Sequence, residues 1–173
     1  MTATDIGLLL VRLAIGASFA AHGAQKVLGW WEGPGFTRWT AAITRMGLRP
    51  AWLWAGIAAG VELVCGPLLA LGLLTPVAAA LVVAQSSYIV VKAHLSRGWF
   101  NGKGGIEFPL QLLAGSLLIV LTGPGALSLD SGFGIDLGTS GRIVLLVVAM
   151  VGAIAGMIIA RPQPQPPTPP RTA

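Results

Sequence analysis

Charged residues are scarce in this sequence. Asp, Glu, Lys and Arg make up 10% of its 173 residues, whereas soluble domains carry about 25%. Hydrophobic residues account for 54%, and the mean hydropathy is +0.78. A soluble domain of this length could not bury so much apolar surface, because too much of a small domain stays in contact with water. The composition therefore predicts an integral membrane protein.

Acidic residues are the scarcer charge: six stand against eleven basic residues, for a formal net charge of +5. In a soluble protein this excess would suggest nucleic-acid binding. Here the basic residues lie mainly in loops between apolar segments, which membrane topology explains better. We expect no nucleic-acid partner.

Cysteine and the familiar cofactor motifs are also nearly absent. The single cysteine, Cys65, excludes an intramolecular disulfide and dithiol chemistry within one chain. No HExxH, CxxC or CxxCH occurs, and NGKGG at 101–105 lacks the residue order of a phosphate loop. His22 and His94, even with Glu107, are too few to indicate a haem or a metal site. We expect no metal, haem or flavin.

Long apolar segments are abundant. Each approaches the roughly 20 residues that cross a bilayer, and the fourth is the shortest. The N-terminus lacks the basic region of a secretory signal, so the first segment is interpreted as a retained span. We predict an all-α polytopic membrane helix bundle with spans at residues 6–27, 52–74, 76–95, 107–122 and 142–160.

The basic residues predict an orientation. With five spans, loops 28–51 and 96–106 share one side with the C-terminus. The positive-inside rule then places the N-terminus outside and the C-terminus in the cytoplasm, in a plasma (inner) membrane. Residues 161–173 are rich in proline, which predicts a disordered cytoplasmic tail. The basic residues on the predicted inner side are Lys26, Arg38, Arg45, Arg49, Lys92, Arg97, Lys103, Arg161 and Arg171.

Two patterns predict packing. Phe36, Trp39, Ile43 and Met46 recur at helical spacing, which predicts a short amphipathic helix lying on the inner leaflet. GxxxG patterns at 56–60 and 152–156 predict close helix contacts by the second and fifth spans.

Ionisable residues inside the spans are few, and each is costly in a bilayer unless it is paired or hydrated. Counting from the span ends puts Arg12 and Glu62 at similar depths, so we expect an Arg12–Glu62 pair, with Gln85 nearby. Such a pair either fixes helix register or forms the polar floor of a pocket within the membrane.

A second polar level lies near the inner ends of the spans. His22, Gln25 and Lys26 share one helix face, and Glu107 and Gln111 share another. Snorkelling explains Lys26 taken alone, and an ordinary hydrogen-bonded role explains His22 equally well. Two such faces together indicate a site.

These residues also carry a family resemblance. The stretches LLLVRLAIGASFAAHGAQKVLGWW, GVELVCGPLLALGLLTPVAA and NGKGGIEFPLQLLAGSLLIVLTGPGALSLD resemble the DoxX family of small bacterial and archaeal membrane proteins. The resemblance implies a four-helix core in residues 1–130, to which 131–160 add a loop and a fifth C-terminal transmembrane helix. The family's recurrent polar positions fall on Arg12, His22, Lys26, Glu62, Asn101, Glu107 and Asp130.

The resemblance implies a role beside oxidoreductases, since relatives named DoxD are associated with thiosulfate oxidation coupled to quinone reduction. We expect a quinone-interacting membrane subunit of an oxidoreductase or of an oxidative-stress or detoxification complex. Its partners would be membrane lipid and a soluble or membrane redox protein; whether the chain is itself catalytic, and whether it oligomerises, stays open. The expected catalytic residues are Glu62, His22, Lys26 and Glu107, and the expected quinone-binding residues are Arg12, His22, Gln25, Lys26, Gln85 and Gln111.

Two other functions fit the sequence. A non-catalytic anchor would use the basic face and the tail to recruit a soluble redox enzyme. A small proton-coupled transporter would use the buried Arg and Glu, although five spans are few for one without oligomerisation.

Overall fold

The computed structural model describes residues 2–159, and within them the chain contains helices and loops but no strand. The predicted tail at 161–173 lies outside the described residues. The helices are α1 (Ala3–Leu28), α2 (Gly35–Arg45), α3 (Ala51–Gly60), α4 (Gly66–Leu71), α5 (Thr75–Ile89), α6 (Glu107–Thr122), α7 (Leu129–Gly132) and α8 (Gly138–Ile159).

Within the described part of the chain, four helical segments are long and apolar enough to cross a membrane: Ala3–Leu28, Ala51–Leu71, Thr75–Arg97 and Gly138–Ile159. The segment predicted as the fourth span is α6, whose 16 residues are about 24 Å long. This helix packs against α1, α5 and α8 and so belongs to the bundle. The predicted all-α polytopic membrane bundle, with a C-terminal helix added to the core, is confirmed.

The second and third spans each contain a π-helical turn. Val61–Cys65 joins α3 to α4, and Val90–His94 extends α5 toward its 3₁₀ end at Leu95–Arg97. An extra residue in a helical turn shifts the side chains that follow, and such turns are frequent at functional sites. The first turn carries Glu62, and the second carries Lys92 and His94.

Glycines in α1 allow this helix to approach the second span closely. A Cβ atom built on Gly16 would lie 2.6 Å from the backbone N of Ala70, and one on Gly23 would lie 2.5 Å from the backbone N of Leu63. Since real Cβ atoms do not approach backbone atoms so closely, only glycine fits at these positions. The contact also fixes the register of α1 against the second span.

The prediction that the GxxxG patterns mediate close packing is wrong. A Cβ atom on Gly56, Gly60 or Gly152 would meet nothing within 4 Å, and one on Gly156 would reach only the Trp54 ring, at 3.4 Å. A four-residue recurrence shows that small residues share a face, but not which helix lies opposite. The close contact with the second span is made by α1 instead, through Gly16 and Gly23, which are seven residues apart.

The amphipathic helix predicted in the first long loop is present as α2, but half of its apolar stripe faces protein. Ile43 is 4% exposed, and Trp39 Nε1 donates to the backbone oxygen of Ala55 at 3.1 Å. Phe36 and Met46, at the two ends of the stripe, remain exposed. Thus α2 packs on α3 and covers one end of the bundle, which brings Trp39 to the site described next.

Candidate ligand-binding cavity

An ion pair between Lys26 and Glu62 lies at the centre of the candidate site. Gln85 Nε2 donates to Glu62 Oε1 at 2.8 Å and to the backbone oxygen of Ala58 at 3.1 Å. The Glu62 side chain is 3% exposed and that of Lys26 is 17% exposed. Because a buried carboxylate needs a counter-charge and donors, Lys26 and Gln85 together make Glu62 tolerable inside a span.

The Lys26 ammonium has a second partner. Its Nζ lies 4.5 Å from the centroid of the Trp39 ring, a distance suited to a cation–π interaction. Trp39 belongs to α2, and its hydrogen bond to α3 fixes the position of its ring. The ring in turn helps to hold the Lys26 ammonium in place. Snorkelling alone therefore does not describe Lys26, whose charge points to Glu62.

A cavity of about 720 Å³ adjoins this ion pair. Its size is that of pockets for drug-sized ligands, and its walls are mostly apolar, as in such pockets. Basic and amide side chains from the end of the third span and the following loop complete one end. The lining includes Phe19, His22, Lys26, Trp39, Ile43, Leu48, Glu62, Gln85, Ser86, Tyr88, Lys92, His94, Arg97, Asn101, Phe108 and Leu112.

Two buried polar atoms on lining residues have no hydrogen-bond partner: Glu62 Oε2 and Ser86 Oγ. Both residues are 2% exposed. Leaving such an atom unsatisfied costs about 1–3 kcal/mol, so each calls for an explanation. An acceptor and a hydroxyl without partners, beside an apolar cavity, are what a site for a polar head group would present.

The predicted face of α1 contributes two of its three residues. His22 and Lys26 line the cavity, and the His22 ring lies 5.9 Å from that of Phe108. Gln25 is outside the lining and packs on Gly33, where an added Cβ would lie 2.6 Å from the Gln25 Cα. Gln25 thus holds the turn that follows α1.

The opposing face predicted on α6 does not enter the lining. Glu107 Oε2 accepts a hydrogen bond from the Asn101 backbone N at 3.0 Å, and Gln111 is exposed. The turn at 98–106 is held from its other side by His94 Nδ1, which donates to the Gly104 oxygen at 2.7 Å. Glu107 therefore orders the rim, and Phe108 is the α6 side chain that faces His22.

The predicted Arg12–Glu62 pair is wrong. Arg12 is 1% exposed and donates to the backbone oxygens of Pro124 and Leu127, at the other end of the bundle. The reason is register: because Gly23 lies against Leu63, Glu62 is level with the last turns of α1, about 16 Å along that helix from Arg12. Counting from the span ends assumed that each of the two antiparallel spans begins at a face of the membrane core.

Asp130 completes this second polar cluster. Its carboxylate accepts from the backbone N of Leu74 at 2.7 Å and of Thr75 at 2.8 Å, and its own N donates to the Gly72 oxygen at 2.8 Å. These bonds tie α7 to the start of α5. Arg12 and Asp130 therefore stabilise the loop after α6, outside the cavity lining.

Among the residues that line the cavity, sequence reasoning did not identify Trp39, Ser86 or Tyr88, whose side chains can form hydrogen bonds. Ser86 and Tyr88 belong to the run QSSY at 85–88, which places four side chains with hydrogen-bonding groups inside an apolar span. This run could have indicated both residues. The sequence predicts Trp39 on an amphipathic helix at the inner leaflet, but an apolar stripe on such a helix does not reveal whether lipid or protein covers it.

Among residues 2–159, no three His, Cys, Asp or Glu side chains come together as a metal site. The bundle and its cavity define a multi-pass helical membrane protein with an acid–base pair buried beside a ligand-sized cavity. The family model that matches this sequence is that of DoxX, over residues 7–95. The chain therefore belongs to the DoxX family, and the match contains Lys26, Glu62 and Gln85.

One relative is an uncharacterized membrane protein, Rv3486, of Mycobacterium tuberculosis. It is 33% identical over 133 residues, which cover 70% of this chain and 78% of the relative. No solved structure matches the chain. The similarity thus extends beyond the residues that match the family model.

Proposed function

We propose that this protein binds a lipid-soluble quinone, in its oxidised or reduced form, as the membrane subunit of an oxidoreductase or detoxification complex. The observation that carries the proposal is the pair of unsatisfied buried atoms, Glu62 Oε2 and Ser86 Oγ, beside a largely apolar cavity. A quinone ring is apolar on its faces and carries oxygen atoms at its edge. When bound, it would supply two-electron, two-proton redox chemistry.

The cavity residues fit both forms of such a ring. Ser86 Oγ can donate to a quinone carbonyl or accept from a quinol hydroxyl. Glu62 Oε2, as a carboxylate oxygen, accepts only, so it suits the hydroxyl of the reduced form. Lys26 and Gln85 hold Glu62 in place through its other oxygen. Glu62 is therefore the residue positioned to take a head-group proton.

An electron donor would come from a partner or from a small substrate. Lys92, His94 and Arg97 collect at one end of the cavity, and such a basic cluster attracts anions. By resemblance to the thiosulfate-oxidising relatives, an inorganic sulfur anion is the proposed substrate class. The protein would then connect an anion at the basic end with a quinone in the membrane.

Binding is tested with purified protein in mild detergent, using a soluble ring with a short tail, as the quinone and as the quinol. Quenching of tryptophan fluorescence reports binding, since Trp39 lines the cavity. A hydrogen bond to a charged group contributes about 1.5–3 kcal/mol, so Glu62→Gln should weaken quinol binding about 10-fold to 100-fold. Ser86→Ala should weaken both forms.

The matched control is Glu32→Gln, which makes the same change at an exposed glutamate outside the cavity lining. It should bind both forms as the unaltered protein does. Unaltered affinity in Glu62→Gln and Ser86→Ala, or no binding of either form, would contradict the proposal. A redox enzyme that co-purifies with a protein unable to bind quinone would favour the non-catalytic anchor instead.

We also propose the orientation that the basic residues predict, with the loops at 29–50 and 98–106 on the cytoplasmic side of a plasma (inner) membrane. The native thiol, Cys65, is buried, so introduced cysteines can be labelled selectively. In intact cells, a membrane-impermeant thiol reagent should label Ser131→Cys and not Thr37→Cys; both positions are exposed. Labelling of Thr37→Cys alone would reverse the orientation.

A further inference from the structure

A second cavity lies between α8 and the rest of the bundle. It has a volume of about 560 Å³ and is lined almost entirely by apolar side chains. We call it the α8 groove. Its walls include Trp54 and Ile57 from α3, Leu81 from α5, and Val148 and Gly152 from α8.

The α8 groove and the ligand-binding cavity meet at common residues. Ala58, Gln85 and Tyr88 line both, together with Ile43 and Leu48. The hydrogen bond from Gln85 to the Ala58 oxygen crosses this boundary, and the same Gln85 donates to Glu62. The two cavities are thus adjacent, and the side chains at their shared border lie between them.

The α8 face of the groove has two glycines that lie between two larger branched side chains. Val148, Gly152, Gly156 and Ile159 line it, at spacings that place them on one side of a helix. A Cβ atom on Gly152 would meet nothing within 4 Å, so the glycine leaves open space rather than a close helix contact. No residue of α8 is buried, although Leu146 and Met150 pack against the core, and α8 forms one wall of the groove.

We propose that the α8 groove holds the apolar tail of the quinone whose ring occupies the ligand-binding cavity, with Gln85 and Tyr88 at the passage between ring and tail. This inference rests on the proposed function. It assigns α8, which lies outside the matched residues 7–95, a role in ligand selection. The ligand class is an amphiphile with a small polar ring and one long hydrocarbon tail, entering from the lipid.

The adjacency of the two cavities, which share five lining residues, argues for a quinone tail rather than the chain of a bilayer lipid. A lipid chain in the groove would carry its head group to the membrane surface, whereas the groove adjoins a cavity whose lining includes Glu62 and Ser86. One quinone molecule would occupy both spaces, with its ring in the ligand-binding cavity and its tail in the α8 groove. An affinity that depends on the tail of the quinone therefore distinguishes a bound quinone from a bound bilayer lipid.

The test compares one quinone ring without a tail and with a long isoprenoid tail, bound to purified full-length protein. Gly152→Leu fills the groove. The control is Val151→Leu. Val151 is the preceding residue of the same helix, is 60% exposed and lies outside the groove lining. We expect the unaltered protein to bind the tailed ring at least tenfold more tightly than the tail-less one. Gly152→Leu should abolish this preference and keep the affinity for the tail-less ring, while Val151→Leu should change neither.

Thermal unfolding confirms that the variants are folded, and Val148→Trp, which obstructs the same face one turn away, replaces Gly152→Leu if that variant does not fold. A tail-less ring that binds while the tail adds no affinity, or a preference that survives both groove variants, overturns the tail assignment and leaves the proposed function standing. Failure of every ring to bind overturns the proposed function, and the inference with it. Competition of the tailed quinone by phospholipid alone would assign the groove to lipid.

Discussion

Replacing Lys26 with methionine removes the counter-charge of Glu62 while keeping a long apolar stem against α2. Glu62 Oε1 would then keep only the hydrogen bond from Gln85, and its Oε2 already lacks a partner. The carboxylate would remain 3% exposed within a span. The variant therefore isolates the cost of an uncompensated buried charge.

Removing one partner of a buried ion pair costs about 3–5 kcal/mol. Because Gln85 still donates to Glu62, and Lys26 is 17% exposed, we expect the lower end, about 3 kcal/mol. For a chain of this length, that loss lowers the midpoint of thermal unfolding by about 6–12 °C. The double variant Lys26→Met/Glu62→Gln contains no buried charge at this position, so it should lie within about 1 kcal/mol of the unaltered protein.

The assay is reversible unfolding in one mild detergent, followed by tryptophan fluorescence and circular dichroism. Lys103→Met serves as the control, because this lysine is exposed in the loop before α6, where surface changes alter stability by about 0.5 kcal/mol or less. The reasoning is refuted if Lys26→Met is as stable as the control, or if the double variant is no more stable than Lys26→Met.

Two further stability predictions concern the rest of the bundle. Asp130→Ala should cost about 1–3 kcal/mol in unfolding free energy, because two backbone N–H groups at the start of α5 lose their acceptor; Asp136→Ala, at a side chain that is 71% exposed, should cost less, and equal losses would contradict this role. Gly16→Ala should cost about 1–3 kcal/mol through overpacking against α4, whereas Gly56→Ala, with open space around it, should be close to neutral; the reverse order would restore the GxxxG interpretation.

The sequence predicted the helices well, because helix formation in a membrane is governed by local composition and length. The first span was expected at 6–27 and is Ala3–Leu28, and the last was expected at 142–160 and reaches Ile159 within the described residues. An apolar segment must satisfy its own backbone hydrogen bonds wherever it lies in lipid. Such a property can be read from the segment alone.

Partner choice among polar residues could not be predicted in the same way. Lys26, Glu62 and Gln85 were each identified as candidate site residues, yet Glu62 was assigned to Arg12. The error lay in the estimated membrane depths of Arg12 and Glu62, because the close contact of Gly23 with Leu63 sets the register of the two helices. A shift of a few residues along a helix moves a side chain by a large part of the membrane thickness.

By itself, the sequence determined that this protein is a multi-pass helical membrane protein, and its polar residues carried the resemblance to the DoxX family. Both follow from which residues are present and in what order. Only the tertiary structure decided that Lys26 rather than Arg12 neutralises Glu62, that Trp39 faces the ammonium rather than lipid, and that Ser86 lines a cavity. The physical reason is that contacts between spans depend on where glycines let backbones meet, and that is a property of pairs of helices.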